Sequence, residues 1–175
     1  MTASEIFESV TGSGSSDFGA LVSILNRHGP WCLIGGLAVN CFVEPVYTLD
    51  ADIVVISPQL PAISDELRQV GFSVREFAHS LNVNRPGSDL RIQLSLDPRY
   101  QEFLKDTNSR EVLGCEVPVA TLRNVIRGKI WAWSDPQRRP TKRKKDELDL
   151  MRILETYAET REWMPEEIKR QIPLG

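Results

Sequence analysis

The feature that most constrains this 175-residue chain is residues 49–56, LDADIVVI, a β-branched apolar run carrying two aspartates two positions apart. Side chains alternate along a strand, so Asp50 and Asp52 share one face while Ala51 and Ile53 face the other. Such an apolar strand belongs inside a covered sheet. Two neighbouring carboxylates repel each other unless solvent or a cation lies between them. The chain must therefore bury this strand and still leave one face open at its acidic end.

The segments around it supply the covering layers. Apolar residues Phe18, Leu21, Val22 and Leu25 recur at helical spacing and predict a helix over residues 18–27, ended by Gly29-Pro30. Before it, residues 11–16 (TGSGSS) read as a connector from which Ser16 or Asp17 caps the helix. Its glycines lack the Lys-Ser/Thr ending of a P-loop. A buried strand is expected at 31–34 and, after Gly35-Gly36, a short helix at 37–43. A helix at 62–70 closes on Gly71, and strands follow at 72–77 and 81–84. Residues 89–96 alternate, with Leu90, Ile92, Leu94 and Leu96 on one face and Asp89, Arg91, Gln93 and Ser95 on the other. A helix is expected at 99–105, a turn near 117–119, and long helices at 121–133 and 142–158.

Strands and helices mix early and helices dominate late. The expected fold class is α/β (α+β), a small mixed sheet flanked by helices. A core at 1–120 and a helical part at 121–175, packed as one compact unit, divide it. Apolar residues make up 41% and charged residues 26%, the balance of a folded globular chain. No apolar run approaches the roughly 18 residues that cross a bilayer. The first ten residues have no basic region or apolar core and do not read as a secretory signal. Cys32, Cys41 and Cys115 are odd in number and have no CxxC spacing, which points to reduced thiols in a cytoplasmic protein.

The chemistry concentrates around the two aspartates. Mg²⁺ is oxygen-seeking and is commonly held by one or two carboxylates plus substrate phosphates, so Asp50 and Asp52 are candidate ligands for Mg²⁺ or Mn²⁺. The plain alternative is a strand end with two solvated aspartates. Gly35-Gly36 lies between a strand and a helix, where glycine lets a phosphate approach the backbone. It is also the composition of any tight strand–helix turn. Arg138, Arg139, Lys142, Arg143, Lys144 and Lys145 fall within eight residues and suit a triphosphate or an RNA backbone, or else a solvated helix start. Lys145 and Asp149, four apart, form a candidate pair that would turn Lys145 toward a phosphate. Lys129, between Ile126 and Trp133, reaches into a pocket or snorkels outward. Trp131 and Trp133 diverge on their helix, and His28 and His79 read as structural or surface residues.

Together the stretch IGGLAVNCFVEPVYTLDADIVV resembles the core of the DNA polymerase β-like nucleotidyltransferase superfamily, and within it the minimal nucleotidyltransferases of the AbiEii toxin type. Gly35, Gly36, Thr48, Asp50 and Asp52 match that family's Gly-Gly and Thr-x-Asp-x-Asp motifs. DPRY at 97–100, VPVA at 117–120, Gly128-Lys129 and KRKKDELDL at 142–150 resemble its later segments. The resemblance implies a Mg²⁺-dependent transfer of a nucleotide from an NTP to an RNA or protein hydroxyl, and a small antitoxin-type protein partner. Asp50 and Asp52 would hold the metal. Gly35, Gly36, Thr48, Lys129, Lys145 and Asp149 would serve the nucleotide. Two positions depart from the family: Val46 stands where an arginine is common, and Gln93 stands where the superfamily has a third carboxylate. Glutamine offers a carbonyl oxygen but no titratable group. The alternative is therefore a catalytically impaired nucleotide- or RNA-binding module with the same fold.

The net charge of −3, from 24 acids and 21 bases, excludes a uniformly basic nucleic-acid coat protein. Its distribution is uneven. Residues 1–66 hold eight acids and one base, and residues 67–175 hold 16 acids and 20 bases. A phosphate-bearing ligand would bridge these halves.

Overall fold

The computed structural model describes residues 12–173. The first ten residues and Thr11, with the readings made on them above, lie outside the described residues. Seven strands form one mixed sheet: β1 (Trp31–Ile34), β2 (Asp50–Val55), β3 (Ser73–Phe77), β4 (Ser80–Asn84), β5 (Arg91–Ser95), β6 (Thr107–Val112) and β7 (Cys115–Ala120). The sheet order is β3-β4-β5-β2-β1-β7-β6. β2 is central, antiparallel to β1 and parallel to β5. That position explains its composition, since a strand covered on both sides excludes polar side chains except where a cleft opens. Ala51, Ile53, Val54 and Val55 are fully buried.

The helices are α1 (Gly14–Leu25), α2 (Gly35–Val39), α3 (Leu60–Gln69), α4 (Leu122–Ser134), α5 (Pro140–Thr156) and α6 (Glu166–Gln171). Phe18, Leu21, Ile24 and Leu25 bury the inner face of α1. α3 lies on the sheet face opposite the aspartates. Glu76 of β3 reaches Arg68 of α3, whereas its neighbour Arg75 points into the cleft described below. α4 and α5 pack on each other, and α2 touches both. Among the described residues no helix is long and apolar enough to cross a membrane.

Several elements differ from expectation. α1 begins at Gly14, with Ser13 at the cap position. Neither Ser16 nor Asp17 is the cap; Asp17 is buried in the first turn, where Ser13 Oγ donates to it and Arg85 pairs with it at 2.8 Å. α2 stops at Val39. Residues 98–105 wind as a 3₁₀ helix, with Asp97 accepting from the Arg99 N–H at its start. Residues 117–119, expected near a turn, follow the turn at Leu113-Gly114. They belong to β7, which pairs with β6, a strand the sequence pattern did not announce. β6 (TNSREV) is an edge strand, largely exposed along its length, so it shows no apolar alternation to read.

Candidate active site

The register of the sheet assembles the site. Ile34 of β1 pairs with Asp52, so Gly35 follows immediately beside that carboxylate. Asp52 in turn pairs with Gln93 of β5, and Asp50 with Arg91. Neighbouring strands lie about 4.8 Å apart, so Gln93 occupies the place beside Asp52 that the family resemblance implied. Asp89 is exposed, and Asp97 is engaged by Arg99 at 2.7 Å.

Gly35 has φ +71°, and a Cβ placed on it would stand 2.2 Å from Asp52 Oδ2. Only glycine fits this backbone at this approach. A Cβ on Gly36 would meet Thr48 Oγ1 at 3.6 Å, an ordinary contact. Thr48 is buried, and its Oγ1 accepts from the Asp50 N–H at 3.2 Å, bracing the entry to β2. Gly35, Gly36, Thr48, Asp50 and Asp52 therefore form one contiguous surface where β1, α2 and β2 meet.

The two aspartates have different environments. Asp50 Oδ1 accepts from Arg91 Nε at 2.8 Å, and Oδ2 pairs with Lys142 Nζ at 2.5 Å. Burial pushes the Asp50 carboxyl up. The hydrogen bond and charge of Lys142, helped by Arg91 and Lys145, outweigh burial and hold it below the ordinary carboxylate range. Asp52 has no hydrogen-bond or ion-pair partner among the described residues, although it faces the cleft. Burial pushes its carboxyl up, and the neighbouring Asp50 charge adds to this. Lys129, Lys142 and Arg138 only partly counter the rise.

Above the strands, α4 and α5 contribute a buried charge network. Lys129 Nζ lies 2.9 Å from Asp146 and 2.6 Å from Asp149. Burial works against its charge, but the two carboxylates prevail and raise its pKa. Arg138 pairs with Asp146 at 2.8 Å, and Arg152 pairs with Asp149 at 2.7 Å. Lys129 thus reaches inward. The expected Lys145–Asp149 pair does not form, because Asp149 turns toward α4 and is taken by Lys129 and Arg152. Lys145 instead lines the cleft without a carboxylate of its own among the described residues.

These groups border a cleft of about 400 Å³ that contains Asp50, Asp52, Gln93, Lys129, Lys145 and Asp149 together with Gly36 and Thr48. A smaller cavity of about 120 Å³ adjoins it at Asp52 and Gln93, reaching Gly35, Ser95, Tyr100 and Asn124. The basic run divides its work. Lys142 and Arg138 enter the cleft, Lys144 pairs with Glu147 at 3.1 Å, and Arg143 donates to the Asp135 carbonyl. Sequence reasoning passed over Arg91 and Asp146. Arg91 was visible as the residue two before Gln93, and Asp146 as the i−3 neighbour of Asp149. Trp131 packs against Phe103 and Tyr100, and Trp133 donates to Glu147, away from the cleft. His28 pairs with Glu66 at 2.6 Å, and His79 is exposed.

Among the described residues no three acidic, histidine or cysteine side chains converge on one point. Asp52, the Gln93 carbonyl and substrate phosphates would make an all-oxygen set of the kind that suits Mg²⁺, which Asp50 would join by giving up Lys142. The unpartnered Asp52 carboxylate is the group such an ion would neutralise.

This arrangement is built on a nucleotidyltransferase fold. ANT(2")-Ia in complex with adenylyl-2"-tobramycin matches with TM-score 0.59 at 14% identity, over 91% of this chain and 98% of that one. Lincomycin-bound LnuA, a lincosamide antibiotic adenylyltransferase, matches with TM-score 0.53 at 9% identity, over 77% and 94%. An antigenic nucleotidyltransferase-like protein from Paracoccidioides brasiliensis matches with TM-score 0.53 at 16% identity, over 83% and 77%. No family model and no curated protein sequence matches the chain. At these identities what is shared is the fold.

Proposed function

We propose that the chain is a divalent-metal-dependent nucleotidyltransferase that moves a nucleotide from an NTP to a hydroxyl of RNA or protein. The observation that carries this reading is the close approach of the Gly35 backbone to the unpartnered Asp52 carboxylate. The acceptor oxygen would bond to the α-phosphorus as the bond to the departing pyrophosphate breaks. Asp50 and Asp52, with the Gln93 carbonyl, would hold Mg²⁺ or Mn²⁺. When bound, that ion supplies the positive charge that polarises the phosphoryl oxygens. Gly35 and Gly36 would admit the phosphates, and Lys145 would meet their charge. Lys129, held by Asp146 and Asp149, would keep the cleft wall in place. Mg²⁺-dependent incorporation of labelled NTP, abolished by Asp50→Ala, tests the reading. Absence of NTP binding at millimolar ligand and magnesium refutes it.

Gln93 favours a second reading, a nucleotide- or RNA-binding module without turnover. No titratable group stands beside Asp52 on β5 to take the acceptor proton. Calorimetry would then show NTP binding with no product, and Gln93→Asp would restore turnover. Turnover by the native chain excludes it. The AbiEii-type resemblance extends the first reading to a toxin–antitoxin component with a small protein partner, tested by co-purification. The three free thiols suit a reducing, cytoplasmic compartment.

A further inference from the structure

The cleft extends well beyond the aspartates, onto a bare sheet face that neither motif explains. The register aligns Arg75 with Asn82, Asn82 with Gln93, and Gln93 with Asp52, so one polar row crosses four strands. A second row joins Ser73 to Asn84 beside it. On β4 and β5 the alternate residues Leu81, Val83, Ile92 and Leu94 are buried, which turns Asn82, Asn84 and Gln93 outward onto the cleft. No acidic residue of β3, β4 or β5 lines the cleft. Arg75 has no carboxylate partner among the described residues.

Resting on the nucleotidyltransferase reading, we propose that this β3–β5 face is the acceptor subsite and that it takes a single-stranded polynucleotide end. Arg75 would hold a backbone phosphate, and the amides of Asn82 and Asn84 would lie along the strand. Three strand spacings separate the Arg75 and Asp52 backbones, about 14 Å. An acceptor must carry its own length to span that gap, with its reactive hydroxyl at Asp52 and its anion at Arg75. Side-chain amides offer paired donors and acceptors that match base edges and ribose hydroxyls. A carboxylate-free face bearing an unpaired arginine repels a polycation.

Fluorescence anisotropy with a labelled single-stranded oligoribonucleotide tests this, on wild type, Arg75→Gln and Arg75→Glu. NTP binding is measured by calorimetry on the same preparations. Arg75 is exposed and unpaired, so the variants keep the fold, as circular dichroism will show. The expected result is about tenfold weaker probe binding in Arg75→Glu, a salt-dependence slope reduced by about one, and unchanged NTP affinity. Equal probe binding by wild type and Arg75→Glu, or displacement by inorganic phosphate at equal concentration, overturns the proposal. If NTP binds and the probe ignores Arg75, the acceptor subsite alone fails. If NTP does not bind, the nucleotidyltransferase reading fails, and Arg75-dependent probe binding still upholds the polynucleotide face.

Discussion

Gly35→Ala is the sharpest perturbation of this site, because Gly36→Ala beside it serves as its control. At Gly35 the new methyl would lie 2.2 Å from Asp52 Oδ2, roughly 1 Å inside a C···O contact of about 3.3 Å. The left-handed backbone there adds about 1–2 kcal/mol for any residue with a Cβ. Relief of the overlap requires movement of Asp52, whose strand is packed on both sides, so we expect a total of about 2–4 kcal/mol. For a chain of this size each kcal/mol is about 2–4 °C in Tm. The variant should therefore melt at least about 4 °C lower and lose NTP binding. At Gly36 the nearest atom to the new methyl is at 3.6 Å, and φ is not in the left-handed region. Alanine there should leave Tm unchanged or raise it by at most about 4 °C, the helix propensity gain being about 1 kcal/mol at most. Thermal circular dichroism and calorimetry with NTP measure both. A Gly35→Ala chain that melts and binds like wild type would refute the argument that this backbone abuts the carboxylate.

Three further outcomes follow from the charges. Asp52 has a raised pKa in the fold, so its ionisation opposes folding above that value and costs nothing below the unfolded pKa of about 3.9. Asp52→Asn should raise Tm at pH 7, lose this advantage as pH falls toward 4, and remove any stabilisation by Mg²⁺. An equal Tm difference at pH 4 and pH 7 contradicts this. Asp50 works in the opposite sense: its lowered pKa contributes stability above the unfolded value that disappears as pH falls through the folded one. Lys129→Met uncovers two buried carboxylates, each left with one arginine, and should cost about 3 kcal/mol in urea unfolding; an unchanged midpoint would mean the network is dispensable. The Cys32 thiol is pushed up to about 12 by burial, so it should resist alkylation at pH 8 until the chain unfolds, and prompt labelling in the folded protein would count against it.

Local signals carried much of this architecture. The four-residue strand β1 was readable as a continuous apolar run, and β5 and the two long helices because apolar periodicity survives where one face is buried. β6 was not, since an exposed edge strand needs no apolar face. At the site, the family resemblance implied that Gly35, Asp52 and Gln93 lie near one another, and the sheet register brings them side by side. The partner of Asp149 was out of reach. A local i, i+4 rule proposes Lys145, but Lys129 arrives from another helix and is closer to the buried face. Asp146 looked like one more surface charge in KKDELD. Its 2% exposure follows from the packing of α4 on α5, which no local pattern encodes.

The contact between Lys142 and Asp50 joins residues 92 positions apart. Asp50 meets its first counter-charge, Arg91, once β5 pairs with β2, but its second, Lys142, arrives only with α5. A ribosome adding about 5–20 residues per second exposes the acidic strand several seconds before that helix is made. During that interval Lys142 and Lys145 are both absent from the cleft, and Asp50 has Arg91 alone. A nascent or truncated chain ending before Pro140 would therefore display the aspartates without Lys142 and Lys145 beside them.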